Sequence, residues 1–338
     1  MRRALTLYTA LTSGKARLIR FALGGIASLG LGWLASRGLS WGQALDALGG
    51  LPLPVVALAL LVFFISNLVR AYRWRLLFLK ERISVARLFL IENIGQGVNN
   101  LLPVRIASEA TQFTILTLRD GVSRGTALAT LGMIRVMDIW ANSLILAVSL
   151  LFIHSAAGQL ARYAAGSLLF SLVLLALVRF VSWGSRGLPL LRRLPLLSTF
   201  AASVAEMEKR KDRLVASLAA SLAAWVILGL SGWIVARSMG IPLSLAQVLL
   251  VILSTIFFAT AIPSLPGAIG TFEAVMVYVM GIFGVDKNLA FPYALFVHAL
   301  VFLPPILMAA IFLPREGMGS LRRSLSKSWS GSSPTEQA

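Results

Sequence analysis

The chain of 338 residues has no cysteine and only two histidines, His154 and His298. That excludes disulfides and thiolate metal sites, and it leaves too few ligands for an ordinary zinc or haem centre. Charge is scarce as well. Asp, Glu, Lys and Arg make up 13% of residues, against roughly 25% in a soluble globular domain. Acids are scarcest: 13 Asp+Glu face 31 Lys+Arg, for a formal net charge of +18. The sequence has no Gly-rich phosphate loop, no metal-ligand pair and no nucleophile elbow. No catalytic residue, metal or cofactor is therefore expected.

What is abundant is apolar. Hydrophobic residues reach 58% and the mean hydropathy is +0.84. So little polar surface implies an integral membrane protein of the α-helical kind, with no soluble domain large enough for an enzyme active site. The basic excess flanks apolar runs, which is the pattern of cytoplasmic loops and not of a nucleic-acid-binding surface.

A span needs about 20 mostly apolar residues. Such runs occupy 17–36, 52–70, 125–153, 165–183, 214–238 and 289–313. The first is longer than a signal-peptide core and lacks a small-x-small cleavage site, so it reads as an uncleaved span. Two further apolar stretches, 84–118 and 245–283, are broken by proline, at Leu101-Leu102-Pro103 and at Pro263-Ser264-Leu265-Pro266-Gly267. Proline removes a helical hydrogen bond. Broken backbone at membrane depth is tolerated only where it is buried or lines a cavity. Both stretches read as re-entrant helical hairpins. The expected fold class is an all-α polytopic membrane protein of about six full spans plus two such hairpins.

The basic segments around 70–87, 186–213 and 315–327 fall on one side only if both hairpins return to the side they entered. Both termini are then cytoplasmic. Residues 1–16 form an N-terminal cytoplasmic segment, and 315–338 a disordered, basic and Ser-rich tail. The order of elements also repeats. Halves at about 17–162 and 163–314 each run span, span, hairpin, span, with opposite orientation, as in inverted-repeat transporters. A faint echo accompanies this, Leu102-Pro103 to Glu109-Ala110 against Leu265-Pro266 to Glu273-Ala274.

The candidate site residues cluster at the breaks. Asn100, Pro103, Arg105 and Glu109 flank the first. A half-helix starting near Ala107 would offer free N–H groups to an anion, and Arg105 a fork of donors suited to phosphate. At the second break, Pro266, Gly267 and Gly270 let the backbone turn. Thr271 is placed to cap the next half-helix, and Glu273 to favour its dipole. Arg135 and Asp138, three residues apart on one helix face, read as an ion pair, or as residues that orient Arg105 or Glu109 or contact a head group. Arg70, Arg73 and Trp74 read as an interfacial anchor closing the second span, with capture of anionic lipid phosphates as the alternative. His298, in mid-span, reads as a helix-packing residue, with a proton relay as the alternative.

These motifs resemble the transmembrane, flippase-like region of lysylphosphatidylglycerol synthases. The residues that carry the resemblance are Arg70-x-x-Arg73-Trp74-x-Leu76-Leu77, Asn100-Leu101-Leu102-Pro103-x-Arg105, Arg135-x-x-Asp138 and Pro266-Gly267-x-Ile269-Gly270-Thr271-x-Glu273-Ala274. It spans residues from about 15 to 315. Two departures stand out. The family's Pro-x-Arg-x-Gly-Glu reads here Pro103-Val104-Arg105-Ile106-Ala107-Ser108-Glu109, and Gln112 stands where an arginine often follows. The aminoacyl-transferase domain of the bifunctional relatives has no counterpart. The resemblance implies a lipid translocator of a bacterial-type inner membrane, acting on an anionic or phosphate-bearing lipid. The alternatives are a membrane-embedded enzyme on a lipid-linked substrate and a non-catalytic partner of a lipid-synthesis complex.

Overall fold

The computed structural model describes residues 14–101, 107–151, 195–261 and 264–330, with 165–166, 169, 172–173 and 176. Among these the regular structure is all helix, joined by short turns, with no strand. In chain order the helices are α1 (Gly14–Ser36), α2 (Trp41–Gly49), α3 (Leu53–Leu77), α4 (Val85–Leu101) and α5 (Ala107–Thr114). A π-helical turn, Ile115–Arg119, follows. Then come α6 (Arg124–Leu151), α7 (Pro195–Lys209), α8 (Lys211–Ser238) and α9 (Leu245–Ala261). After a 3₁₀ turn at Pro266–Ala268, the chain ends in α10 (Thr271–Ile282) and α11 (Lys287–Ser330).

Among the described residues, four stretches are long and apolar enough to cross a membrane: Leu53–Leu77, Arg124–Val148, Lys211–Ser238 and Lys287–Gly317. The expected span at 17–36 lies in α1, and most of 165–183 lies outside the described residues. The tail expected to be disordered from 315 is instead the continuation of α11 through Ser330, whereas 331–338 lie outside the described residues.

The surface is apolar and the interior partly polar. Leu53, Ile26 and Leu29 are 79%, 70% and 70% exposed, while Arg73, Glu92 and Asp138 are buried. A water-soluble fold would reverse that distribution.

The central pair is α3 against α8, packed antiparallel. Ser217 Oγ donates to the Arg73 carbonyl (3.1 Å), Ser66 Oγ to that of Ala224 (2.7 Å) and Ser231 Oγ to that of Ala59 (2.7 Å). The contacts step seven residues down one helix and seven up the other. Serine is short enough to let the backbones approach and polar enough to bond across them.

Each broken stretch folds back on itself. At the open end of the first, Arg87 Nε meets Asp120 at 3.0 Å, which brings the start of α4 beside the π-helical turn after α5. Midway, the side chain of Gln112 fills the space beside Gly95, where a Cβ would lie 2.7 Å from it. Helices α9 and α10 pack on each other in the same way. The end of α4 abuts the 3₁₀ turn of the second stretch, with the Asn100 carbonyl lying against Gly267.

Basic segments gather at one end of the bundle. There Glu316 holds Arg87 (2.6 Å) and Arg119 (3.1 Å), and Arg213 reaches the Phe78 carbonyl (3.4 Å). Lys80 meets Glu206 at 2.7 Å, and that carboxylate holds the lysine above its usual range. At the opposite end, Lys287 Nζ donates to the carbonyls of Leu34 (2.9 Å) and Arg37 (2.7 Å), and Ser40 N–H to Asn288 Oδ1 (2.9 Å).

Candidate functional site

Two apolar clusters divide the bundle. One holds Ala71, Trp74 and Leu77 of α3 with Leu88, Ile91 and Ile134. The other holds Ala59 and Phe63 of α3 with Leu228, Leu250 and Phe272. Between them α3 carries Ser66, Asn67, Arg70 and Arg73 into a polar layer. Asp138 comes from α6, Glu92 and Asn93 from α4, and Ser221 and Trp225 from α8.

The layer is closely paired. Arg73 binds both carboxylate oxygens of Asp138, through Nη1 and through Nη2 at 2.9 Å, and donates to Ser221 Oγ at 3.0 Å. Trp225 Nε1 donates to the same carboxylate at 3.0 Å. Arg70 Nε donates to Glu92 at 3.0 Å, and its guanidinium lies 4.9 Å from the Trp225 ring centroid. Asn67 and Asn93 are bonded side chain to side chain at 3.0 Å. Two buried polar atoms of the layer, Arg73 Nε and Glu92 Oε2, have no protein partner.

Two sequence expectations are corrected here. Arg135 and Asp138 do not pair with each other. Arg135 pairs with Glu109 of α5, and Asp138 with Arg73. Although three apart, the two side chains serve different neighbours, because Asp138 points towards α3 and α8 while Arg135 points towards the return limb of the hairpin. Nor are Arg73 and Trp74 an interfacial anchor, being 1% and 0% exposed. Helix α3 continues to Leu77, beyond the apolar run ending at 70, so its last turns face inward. Arg70 likewise spends its charge on Glu92 inside the bundle.

Glu109 sits in the first turn of α5, which begins at Ala107. Gln112, at the position where relatives often carry arginine, donates to Ser108 at 3.0 Å and is buried against the first limb. Pro103 and Arg105 lie outside the described residues. Arg70, Arg73 and Arg135 are each matched by a carboxylate. Arg105 stands two residues before α5 in sequence.

The second tip is built differently. Gly267 and Gly270 have φ of +72° and +80°, the left-handed region that glycine adopts without strain. The cap of α10 is not Thr271 but Glu273, whose Oε2 accepts the Gly270 N–H at 2.7 Å. Thr271 instead lies beside Ser28 of α1, Oγ to Oγ at 3.4 Å, and Ser28 also accepts the Leu265 N–H at 2.8 Å. His298 of α11 reaches into this turn, with Nδ1 on Glu273 and Nε2 on the Gly267 carbonyl at 2.8 Å. It stacks on Phe272 at 4.5 Å, with the edge of Phe302 at 4.2 Å. Pro266 opens the 3₁₀ turn.

Ser28, Trp225 and Ser221 thus belong to the polar interior although the sequence reading did not place them there, and His298, read as a helix-packing residue or a proton relay, lies there with them. A lone histidine or tryptophan carries no spacing signal. Ser217 and Ser221 do carry one, a polar stripe at helical spacing on an otherwise apolar helix.

A cleft of about 330 Å³ lies apart from both tips, towards the basic end. Its walls include Ala110, Thr114 and Leu118 on the hairpin and Leu313 on α11, with Arg119 and Glu316 at its polar edge.

Residues 18–309 match the family described as the lysylphosphatidylglycerol synthase TM region. No curated protein matches the chain.

Proposed function

The chain belongs to the lysylphosphatidylglycerol synthase TM region family, and from that premise we propose that it is a translocator moving a phosphate-bearing, anionic lipid across the inner membrane. The observation that carries this reading is the meeting of the two broken hairpins, the Asn100 carbonyl against Gly267, within a bundle whose outer face is apolar. Discontinuous helices that meet inside a bundle are where transporters place substrate.

In this reading the head group sits at the tips and the acyl chains stay in the bilayer. Arg105 and the N–H groups at the start of α5 hold the phosphate. Asn100 and Pro103 shape one side of the site, and Pro266, Gly267, Gly270 and Thr271 the other. The pairs Arg135–Glu109 and Arg73–Asp138 keep the neighbouring helices in register without drawing on Arg105. No bond-making step is assigned to the chain, and its partners are membrane lipids. A purified protein that released phosphate or transferred a group would favour the enzyme reading instead.

We take the elements after α2 to repeat with opposite sense. Helices α3, α4, α5 and α6 are followed by α8, α9, α10 and α11, and both α4 and α9 have 17 residues. We take the halves to be inverted repeats with both termini cytoplasmic. Single cysteines in this cysteine-free chain test that. Ser40, Gly240 and Gly284 should label from outside, and Gly121, Gly184 and Ser332 only after permeabilisation.

The functional test is lipid movement. Vesicles carrying the purified protein and fluorescent phosphatidylglycerol should lose about tenfold or more in rate with Arg105→Ala, the size expected from one charge-assisted contact. A variant that inserts stably and moves lipid at the wild-type rate would remove Arg105 and the proposed phosphate site together.

A further inference from the structure

His298 faces two oxygen atoms that both accept. One is the Gly267 carbonyl, on Nε2 at 2.8 Å, and the other is the Glu273 carboxylate, on Nδ1. A neutral imidazole has one N–H and one lone pair, so it satisfies one of these and repels the other. Both bonds exist together only if the pair carries a further proton, as imidazolium on carboxylate or as a protonated carboxyl donating to Nδ1. The site is closed enough to hold the question. Glu273 and His298 are 5% and 8% exposed, and Phe272 and Phe302 cover the ring.

We propose that Glu273 and His298 form a proton-binding site, and that the bound proton fastens the turn of the second hairpin to α11. With the proton, His298 holds Gly267 while Glu273 holds Gly270 N–H, so both ends of the turn are tied. Without it, one tie becomes an acceptor–acceptor contact and the turn is released. The turn abuts Asn100 of the first hairpin, so release alters the place where the tips meet.

Among the described residues around it, few other groups ionise. Helix α9 and the described side chains of α1 on this face carry none, and the 3₁₀ turn carries none. Helix α4 brings Glu92 and Arg87, held by Arg70 and by Asp120 and Glu316. Helix α2 brings Asp46, and Arg237 of α8 lies over Trp233. Tyr293, a turn and a half before His298 on α11, donates to the Gly232 carbonyl at 3.2 Å. None of these touches the imidazole, so its direct ionisable partner is Glu273.

Because the chain has only one other histidine, the full-length protein with His154→Asn gives ¹⁵N-histidine NMR signals from His298 alone. Between about pH 5 and about pH 9, wild-type signals should pass from a proton-loaded pair to a neutral ring facing carboxylate. Glu273→Gln should stay neutral throughout, since its amide donates to Nδ1 and its carbonyl still accepts Gly270 N–H. Signals that match Glu273→Gln at every pH, or a further proton that never leaves, would overturn the site. That this proton is coupled to transport rests on the translocator reading. In vesicles, wild-type lipid movement should change by up to about tenfold per pH unit, as for one linked proton, and Glu273→Gln should be flat. Movement whose pH dependence survives Glu273→Gln overturns the coupling. A wild type that titrates by NMR but moves no lipid removes the translocator reading and leaves the proton site standing.

Discussion

The first hairpin is held by charges from other helices, and the second by a clamp made from its own turn and α11. Around the first, Arg70 of α3 holds Glu92 and Arg135 of α6 holds Glu109. Arg73 and Asp138 tie α3 to α6 beside it. Around the second, Glu273 caps Gly270 and His298 holds Gly267. Arginine–carboxylate pairs stay charged across physiological pH. A histidine–carboxylate pair can gain or lose a proton in that range. On the proposal that Glu273 and His298 share a proton, the first hairpin is fixed by partners that stay charged, while the second hangs on one that binds and releases a proton. If the two tips move relative to each other, the second is the one built to let go.

The largest expected effect lies in the first region. Asp138→Ala leaves Arg73 charged and buried, with Ser221 its remaining side-chain partner. Breaking a buried pair this way costs about 3–5 kcal/mol, which should appear as a large fall in melting temperature in detergent. Arg73→Met with Asp138→Leu removes both charges and should recover much of that loss. If the double variant were no better than Asp138→Ala, the pair would matter for its shape and not for its charge balance. The comparison with the second hairpin would then lose its basis.

A smaller effect is expected at the second tip. At Gly270 a Cβ would lie 2.3 Å from the Ser28 carbonyl, and φ there is +80°. Gly270→Ala should cost about 1–3 kcal/mol from strain and overpacking together. In the first hairpin, the nearest atoms to a Cβ at Gly95 belong to the side chain of Gln112, at 2.7 Å, and not to backbone, so the neighbour that must shift is a side chain. The melting temperature of Gly95→Ala should stay nearer the wild type. Equal losses would mean that both hairpins are packed with the same rigidity.

The sequence made the breaks legible because proline and hydropathy act locally. Pro103 and Pro266 mark interruptions within apolar stretches, and the folded limbs lie on either side of them. The half-helix expected near Ala107 begins there. Pairing was not legible, since it depends on which helix lies opposite. Arg135 and Asp138 have the spacing of an ion pair, yet each finds a better partner across an interface. Arg73 and Trp74 looked like an anchor because the apolar run stops before them, while the helix does not. The cap at the second tip passed from Thr271 to Glu273 for a related reason: Ser28, distant in sequence, lies beside the threonine hydroxyl. His298 was legible as a mid-span histidine, but its partners Glu273 and Gly267 were not, because they face it only where α10 and α11 meet.

The smallest effect tests what the two regions share, the α3–α8 seam. Ser66→Ala removes one bond, to the Ala224 carbonyl at 2.7 Å, and leaves those of Ser217 and Ser231 in place. Hydrogen bonds between membrane helices are worth about 0.6 kcal/mol on average. The loss in melting temperature should therefore be about 1–2 °C. A small loss alone proves little, so the geometry needs a sharper reading. Ser66→Cys with Ala224→Cys should oxidise to an intramolecular disulfide, because the serine hydroxyl already reaches the partner backbone. Moving the second cysteine to Ala220 should abolish it, since that shifts the contact by more than one helical turn along the seam. A bond from both pairs would mean that the helices slide, and neither hairpin could then be taken as fixed against them.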